Sequence, residues 1–175
     1  MLTLYLSAIS DTGCGNRKEN EAAALDGLLE RAFGFKARLL HHQDGAPYID
    51  GHPEIHISIS HSAATCLLAV SDAPVGVDIE APRRQLARVA PKFLTAAERG
   101  RMDLTSGDHT EELLHYWTAK EAAFKLLRVP GLTVSAIEVS ADMTLASAGG
   151  KECGIRYERH GEELMAIACF TGSHS

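Results

Sequence analysis

The sequence predicts an α+β fold, because the order strand, helix and then strands occurs both before and after about residue 74. The strand-like runs of the first half are apolar or alternate with period two: Leu2–Leu6, Ile55–Ser60, Thr65–Val70 and Val75–Glu80. Helical spacing of apolar residues marks Arg17–Phe33 and a longer segment that ends near Arg128. With 175 residues, the chain has room for one globular domain or two small fused lobes.

The elements of the first half follow from local signals. Leu25, Leu28 and Leu29 lie on one stripe of the first helix, and Gly34 is expected to end it. A short strand at Ala37–Leu40 and a turn at Asp44–Pro47 come next. The turn Ser71–Pro74 predicts a hairpin that joins the strands on either side of it and places His61 and Asp78 in one sheet.

The second half begins with a helix that starts near Pro82 and continues to Phe93. The pattern Thr95–Glu98 is a capping box, so a further helix is expected to follow it. Gly107 and Asp108 interrupt the chain before the central helix. Beyond that helix, three strand-like segments are expected: Val134–Val139, Gly154–Tyr157 and Leu164–Phe170.

Composition excludes several classes of function. The net charge of −6 argues against nucleic acid as a partner. No apolar run approaches the roughly 20 residues of a membrane span, so no membrane association is expected. The four cysteines have no metal-ligand spacing, and Cys66 and Cys169 are expected to be buried reduced thiols, which favours a cytoplasmic location.

The strand Val75–Glu80 carries two carboxylates on one face. Asp78 and Glu80 are two residues apart, so their Cα atoms lie roughly 6.5 Å from each other. A hard divalent cation such as Mg²⁺ would relieve their repulsion, since it prefers one or two carboxylates plus phosphate oxygens and water. The alternative is a solvated strand end with no ligand.

The central helix places Trp117, Glu121 and Lys125 on one face, because each follows the last by four residues. If the helix packs across the acidic strand, Glu121 supplies a third carboxylate and Lys125 a cation for a substrate phosphate. The alternative is an ordinary Glu–Lys pair on a helix surface. The face is expected to be anchored by Trp117 as a structural side chain.

Together these segments resemble a known family. Gly76–Glu80 and Trp117–Lys125, preceded by the segment Ile57–Ser62, resemble the ordered motifs of the 4′-phosphopantetheinyl transferases, and of their surfactin-type branch in particular. The resemblance implies two similar α+β lobes in one chain, residues 1–74 and 75–175, with the site between them. It also implies a monomer.

The activity that the resemblance implies is that of a holo-acyl-carrier-protein synthase type of enzyme. Such an enzyme transfers the phosphopantetheine arm of coenzyme A to a serine of an acyl or peptidyl carrier protein and releases 3′,5′-ADP. The resemblance further implies Mg²⁺ held by Asp78, Glu80 and Glu121, with Glu121 also serving as the base. Phosphate contacts are expected from the following residues: Ser60, His61, Lys120 and Lys125. Without the motifs, His61 alone would suit a capping role in a turn.

Two further features bear on partners. Arg84, Arg88 and Lys92 recur every four residues and would form a basic helix face for an acidic carrier protein, or only a solvated face. Ala46 stands where relatives often carry a lysine that reaches coenzyme A, so that contact is expected to be missing. Two other functions therefore stay open: a non-catalytic module that binds carrier protein or nucleotide, and a Mg²⁺-dependent phosphotransferase with another pyrophosphate substrate.

Overall fold

The computed structural model describes residues 1–10, 16–83, 85–102 and 107–172. The chain divides into two compact units, Met1–Val75 and Gly76–Ser175. In the described part of the chain, the first unit contains one helix and the second several, and in both units the strands form antiparallel pairs. This architecture confirms the predicted α+β class.

The first unit is a three-stranded antiparallel sheet with one helix packed on it. Its elements are β1 (Leu2–Ala8), α1 (Arg17–Phe33), β2 (Leu39–His41), β3 (Pro47–Ile49), β4 (His56–His61) and β5 (Thr65–Ser71). The strand order is β1-β5-β4, and β2 pairs with β3 in a separate hairpin. Helix α1 packs its buried Leu28 and Leu29 against Ile57, Cys66 and Leu68 of the sheet, which forms the core of this unit.

Both ends of α1 are fixed by its own sequence. The side chain of Asn16 accepts from the backbone N–H of Glu19, and the Glu19 carboxylate accepts from the N–H of Asn16, which completes a capping box. Gly34 ends the helix in the left-handed conformation, with φ of 66°. The predicted range Arg17–Phe33 and the predicted end at Gly34 are confirmed.

The second unit is built on a five-stranded sheet. Its elements are β6 (Val75–Glu80), α2 (Gln85–Phe93), α3 (Ala96–Arg101), α4 (Thr110–Leu127), β7 (Glu138–Val139), β8 (Leu145–Ala148), β9 (Lys151–His160) and β10 (Glu163–Cys169). The strand order is β6-β10-β9-β8-β7. A capping box formed by Thr95 and Glu98 opens α3, as the sequence predicts.

Helix α4 lies against this sheet and forms the centre of the unit. Its buried Leu113, Leu114 and Leu127 pack in one cluster with Leu164 and Ala166 of β10. Trp117 is partly buried on this helix, and its ring meets that of Phe93 from α2 edge to face, with centroids 5.2 Å apart. The predicted structural role of Trp117 agrees with this packing.

Helix α4 is also the longest helix of the described chain, at 18 residues. It carries five carboxylate or ammonium side chains: Glu111, Glu112, Lys120, Glu121 and Lys125. Of the helices in the described ranges, none is long and apolar enough to cross a membrane.

Several elements differ from the sequence-based expectation, among them β3, which lies where the sequence indicates only a turn. Strand β6 pairs with β10 and not with β5, so the predicted hairpin is wrong, and His61 and Asp78 belong to different sheets. Apolar alternation specifies which side chains of a strand face inward, but it does not specify the neighbouring strand. Val134–Ala136 forms a turn of 3-10 helix ahead of β7, and β8 was not anticipated.

Candidate functional site

Strand β6 and helix α4 approach each other unusually closely at Gly76. A Cβ atom added to Gly76 would lie 2.0 Å from the carbonyl oxygen of Ala122 and 2.9 Å from the backbone nitrogen of Leu126. Real Cβ atoms essentially never come this near to backbone atoms, so the crossing requires glycine at this position. Because Asp78 and Glu80 share the strand face of Gly76, the crossing brings α4 over both carboxylates.

Lys125 links the helix to the strand directly. Its Nζ atom donates to the carbonyl oxygen of Val77 at 2.8 Å and to Asp78 Oδ1 at 3.0 Å. Asp78 is buried, with 6% of its surface exposed, and the Lys125 side chain is 28% exposed. A charge-assisted bond of this kind to a desolvated carboxylate is stronger than a neutral one. The structure therefore brings the predicted residues Asp78 and Lys125 together.

Glu80 lies at the end of β6 with most of its side chain desolvated. Burial raises the pKa of Glu80 to about 7. The neighbouring carboxylates Asp78, Glu121 and Glu163 contribute to this rise, while the guanidinium of Arg83, which forms an ion pair with Glu80, opposes it. Carboxylates of the strand and of the helix therefore lie close enough to influence one another.

Glu121 responds to the same surroundings. Burial raises the pKa of its carboxyl above the usual range, and the charge of Asp78 adds to the effect. The ammonium of Lys125 opposes the shift. A carboxyl group whose pKa is raised toward neutrality is better suited to accept a proton from a hydroxyl than an ordinary glutamate.

The carboxylates at the crossing do not form a ready-made metal site in the part of the chain that the structure describes. Within the described ranges, no group of three or more His, Cys, Asp or Glu side chains is arranged to hold a metal as it stands. Lys125 and Arg83 instead supply the positive charge next to Asp78 and Glu80. The donor set nevertheless fits Mg²⁺ chemically, because burial and, after it, the charges of neighbouring carboxylates raise the pKa of both glutamates, and a divalent cation would stabilise their ionised forms.

A cavity opens one helical turn from Glu121. Its volume is about 400 Å³, and it is lined by residues of α2, α4 and the 3-10 helix: Val89, Lys92, Phe93, Trp117, Thr133, Val134 and Ser135. This volume is within the range of small-molecule sites, which are mostly apolar with a few polar groups. The cavity was not anticipated, because residues from three separate segments form its wall.

Lys120 lies elsewhere, which corrects its predicted role as a phosphate ligand. Its side chain is fully buried, and Nζ lies 2.8 Å from Glu98 Oε2 and bonds to the carbonyl oxygen of Ile137. Glu98, also fully buried, accepts from the backbone N–H groups of Thr95 at 2.7 Å and Val139 at 2.8 Å. Lys120 lies about 100° around the helix from Glu121, and in this structure that direction leads into the core of the second unit. The capping role weighed for Glu98 is confirmed.

The remaining predicted site residues of the first unit lie at the end of β4. His61 is half exposed, and its Nε2 lies 2.9 Å from Glu21 Oε2 on α1. Ser60 is buried, with 5% of its surface exposed. Ser62, which follows His61, closes a turn in which its hydroxyl oxygen accepts from the N–H of Thr65 at 2.9 Å.

Helix α2 presents two of the three predicted basic residues to solvent. Arg88 and Lys92 are exposed, and among the described residues neither takes part in an ion pair. Arg84 lies outside the described residues. The structure agrees equally with a docking face and with a solvated face.

The sequence does not indicate the roles of Glu163 and Glu21 in these surroundings, nor the contact of the basic residue Arg83 with Glu80. Arg83 is three residues from Glu80, a spacing that could have indicated an ion pair. Glu163 opens β10 and is 9% exposed, but the strand order that brings it near Glu80 has no local signal. The pairing of Glu21 with His61 spans 40 residues and also lacks a local signal.

Comparison with known proteins identifies a family that this chain matches. The family model described as the 4′-phosphopantetheinyl transferase superfamily matches residues 74–168, more than half of the chain. A 4′-phosphopantetheinyl transferase of Bacillus subtilis is 33% identical over 82 residues, which cover 46% of this chain and 37% of the relative. The 4′-phosphopantetheinyl transferase psf-1 of Bacillus pumilus is 34% identical over 84 residues, covering 47% and 36%.

A third relative, the 4′-phosphopantetheinyl transferase Sfp of Bacillus subtilis (strain 168), is 32% identical over 84 residues, covering 46% and 37%. The alignments thus span little more than a third of the curated relatives' length. They support the surfactin-type branch that the motifs indicated. By the match over residues 74–168, the chain belongs to the 4′-phosphopantetheinyl transferase superfamily.

Proposed function

We propose that this protein transfers the phosphopantetheine arm of coenzyme A to a serine of an acyl or peptidyl carrier protein and releases 3′,5′-ADP. The observation that carries the proposal is the crossing of α4 over β6, where Asp78, Glu80 and Glu121 approach one another beside Lys125. A pyrophosphate group needs concentrated positive charge, and a serine hydroxyl needs a base. This crossing offers residues for both.

In the proposed reaction the serine Oγ attacks the phosphorus that carries the pantetheine. The new Oγ–P bond forms as the bond from that phosphorus to the bridging oxygen of 3′,5′-ADP breaks, and Glu121 accepts the hydroxyl proton. Burial and Asp78 raise the pKa of Glu121, which increases its proton affinity for this step. Mg²⁺ bound by Asp78, Glu80 and Glu121 would neutralise charge on the pyrophosphate.

Lys125 is the proposed cation for the transferred group. Its ammonium lies in the cluster, 3.0 Å from Asp78 Oδ1, on a flexible side chain that can reorient toward a ligand. It is also the proposed donor of a proton to the leaving 3′,5′-ADP. His61 is proposed to hold a phosphate oxygen, together with Ser60.

The cavity lined by Phe93 and Trp117 is the proposed position of the pantetheine arm. It combines apolar walls with the hydroxyl groups of Thr133 and Ser135, which suits a chain of methylene and amide groups. Filling it should weaken coenzyme A binding. A Val89→Trp variant that binds coenzyme A as tightly as the unmodified protein would contradict this placement.

One experiment separates the three candidate functions. The protein is incubated with coenzyme A, Mg²⁺ and an apo-carrier protein, and the carrier is weighed by mass spectrometry. A gain of one phosphopantetheine group on the acceptor serine supports transfer. Carrier or coenzyme A binding without any mass gain would indicate the non-catalytic module, and consumption of another pyrophosphate compound alone would indicate a different phosphotransferase. Glu121→Gln is the matched inactive control.

The carrier protein is proposed to dock on the exposed basic residues of α2. Because the chain has a net charge of −6 and such carriers are typically acidic, attraction must come from a local patch, and Arg88 and Lys92 supply one. Arg88→Glu should raise KM for the carrier several-fold at low salt, and KM for coenzyme A should hardly change.

The matched control for docking is Lys36→Glu, which makes the same charge change at an exposed position of the other unit. Equal effects of the two variants on KM for the carrier would show that only net charge matters. In that case the α2 face is merely solvated.

A further inference from the structure

Three side chains of the first unit form a closed cluster around the carboxylate of Glu21. Arg17 Nε donates to Glu21 Oε1 at 2.6 Å, and His61 Nε2 lies 2.9 Å from Glu21 Oε2. Both carboxylate oxygens are therefore engaged. The Glu21 side chain is 17% exposed and that of His61 is 48% exposed, so the glutamate lies beneath the histidine ring and leaves its outer side to solvent.

The backbone on both sides of this cluster is held by local structure. The capping box of Asn16 fixes the start of α1, and Arg17 and Glu21 are one turn apart in that first part of the helix. His61 is opposite Cys66 in the β4–β5 pair, and the Ser62 hydroxyl secures the turn that follows. An additional bond joins the two sides, since Arg17 donates to the carbonyl oxygen of Ser62 at 3.5 Å.

The charges of the cluster are arranged to keep the glutamate ionised. The hydrogen bond from Arg17 is the largest cause that lowers the pKa of Glu21, and the charge and hydrogen bond of His61 act in the same direction. Arg17 also balances the negative charge of Glu21. When His61 is protonated, the three side chains together carry one positive charge, which is favourable for an anionic ligand.

The two nitrogens of a histidine ring do not act independently, because the partner of one determines what the other can do. Here Glu21 accepts from Nε2, so Nδ1 is the nitrogen that a second partner can use. In the imidazolium form both nitrogens are donors. A ring held at Nε2 therefore directs an N–H group from Nδ1 toward an acceptor such as a phosphate oxygen.

We propose that Glu21 is a positioning residue, which holds the His61 ring through Nε2 so that Nδ1 can donate to a phosphate oxygen of coenzyme A. This inference rests on the proposed function of the protein, in which His61 contacts that phosphate. Glu21 itself does not touch the ligand. Arg17 prevents its carboxylate from repelling the phosphate, because the two charges neutralise each other.

A double-mutant cycle tests whether Glu21 acts through His61. The dissociation constant of coenzyme A is measured by isothermal titration calorimetry for the unmodified protein, Glu21→Ala, His61→Ala and the double variant. Glu21→Ala should weaken binding about tenfold when His61 is present, a coupling typical of contacting residues, and should have almost no effect when His61 is absent. Glu21→Gln should restore part of the affinity, since its amide oxygen can still accept from Nε2.

Glu30→Ala is the matched control, because it removes the same charge from an exposed position of the same helix. It should leave the dissociation constant unchanged. In steady-state assays, Glu21→Ala should raise KM for coenzyme A and leave kcat nearly constant, whereas a general loss of folded protein would lower the apparent kcat.

Two results would overturn the inference. Additive effects of Glu21→Ala and His61→Ala would show that Glu21 does not act through the ring, and tighter binding by Glu21→Ala would show that it repels the ligand instead. The proposed function is judged separately by the carrier mass. Coupling between Glu21 and His61 without transfer would support the role of Glu21 and refute transferase activity. Transfer without coupling would support transferase activity and refute the role of Glu21.

Discussion

Replacing Gly76 by alanine tests whether the crossing of β6 and α4 determines both stability and activity. The backbone of Gly76 is not in the left-handed region, so alanine can adopt its conformation without strain. The added methyl group is opposed only by its steric clash with the backbone of α4. In the absence of the helix, the substitution would stabilise a strand by about 0.5–1 kcal/mol relative to glycine. A destabilisation therefore reports on the close approach itself.

The magnitude follows from the distances. The new Cβ atom would lie 2.0 Å from the carbonyl oxygen of Ala122, and Cβ contacts shorter than 3.0 Å essentially never occur. The strand and this carbonyl must therefore separate by at least about 1 Å. Overpacking of this kind costs about 1–3 kcal/mol, and the upper end applies because the obstructing atoms belong to the backbone. For a unit of this size, about 3 kcal/mol lowers Tm by roughly 12 °C or more.

The same displacement should impair the reaction. Glu121 and Lys125 flank the contact residue Ala122 on α4, so a shift of about 1 Å moves both, and such a misplacement can reduce kcat about 100-fold. Thermal unfolding and carrier modification, measured at a temperature where the variant is folded, check the two effects. Gly100→Ala is the control, because nothing lies within 4 Å of the Cβ position there.

The control is expected to stabilise α3 slightly or leave Tm unchanged, since alanine is favoured over glycine in helices. If Gly76→Ala melted at or above the temperature of the unmodified protein and transferred at full rate, the crossing would not be the constraint that the distances indicate. The placement of the acidic residues would then need another explanation.

Three further predictions concern other parts of the molecule. Asp78→Ala should reduce transfer at least 100-fold with an unchanged circular dichroism spectrum, and full turnover in excess chelator would contradict the metal assignment. Lys120→Met should destabilise by about 3–5 kcal/mol in denaturant titrations, because it leaves the buried Glu98 without its cation; adding Glu98→Gln should recover part of this loss. Burial raises the pKa of Cys66 and Cys153 to about 11, so roughly one thiol in a thousand is ionised at pH 8. After treatment of the native protein with an alkylating reagent, peptide mapping should therefore find both cysteines unmodified.

Local signals in the sequence were sufficient where a structure depends on neighbouring residues. The bounds of α1 and β6 were predicted because a glycine ends the helix and a turn precedes the strand. The convergence of Asp78 and Lys125 could also be predicted, since strand and helix periods place each side chain on a defined face and the family motifs join the two segments.

Features that depend on tertiary pairing were not predictable in the same way. The pattern of β6 does not reveal that β10 is its neighbour, and helical spacing alone could not show that Lys120 points to Glu98. Helix periodicity specifies the direction in which a side chain leaves the helix axis. Whether that side chain is buried depends on which other elements pack against that side of the helix. The composition of Val134–Ala136 is compatible with a strand and with a 3-10 turn, so the sequence could not distinguish the two structures.

Glu98 has a consequence for how the second unit folds. Helix α3 has six residues, too few to persist alone in water, because nucleation of a helix is unfavourable. The carboxylate that caps its first turn is also bonded to Lys120, 22 residues later, and to the amide of Val139, 41 residues later. The buried form of α3 is thus stabilised by contacts of high sequence separation in addition to its local cap. Helix α3 is therefore expected to form late and cooperatively, together with α4 and β7, and not as an early local nucleus.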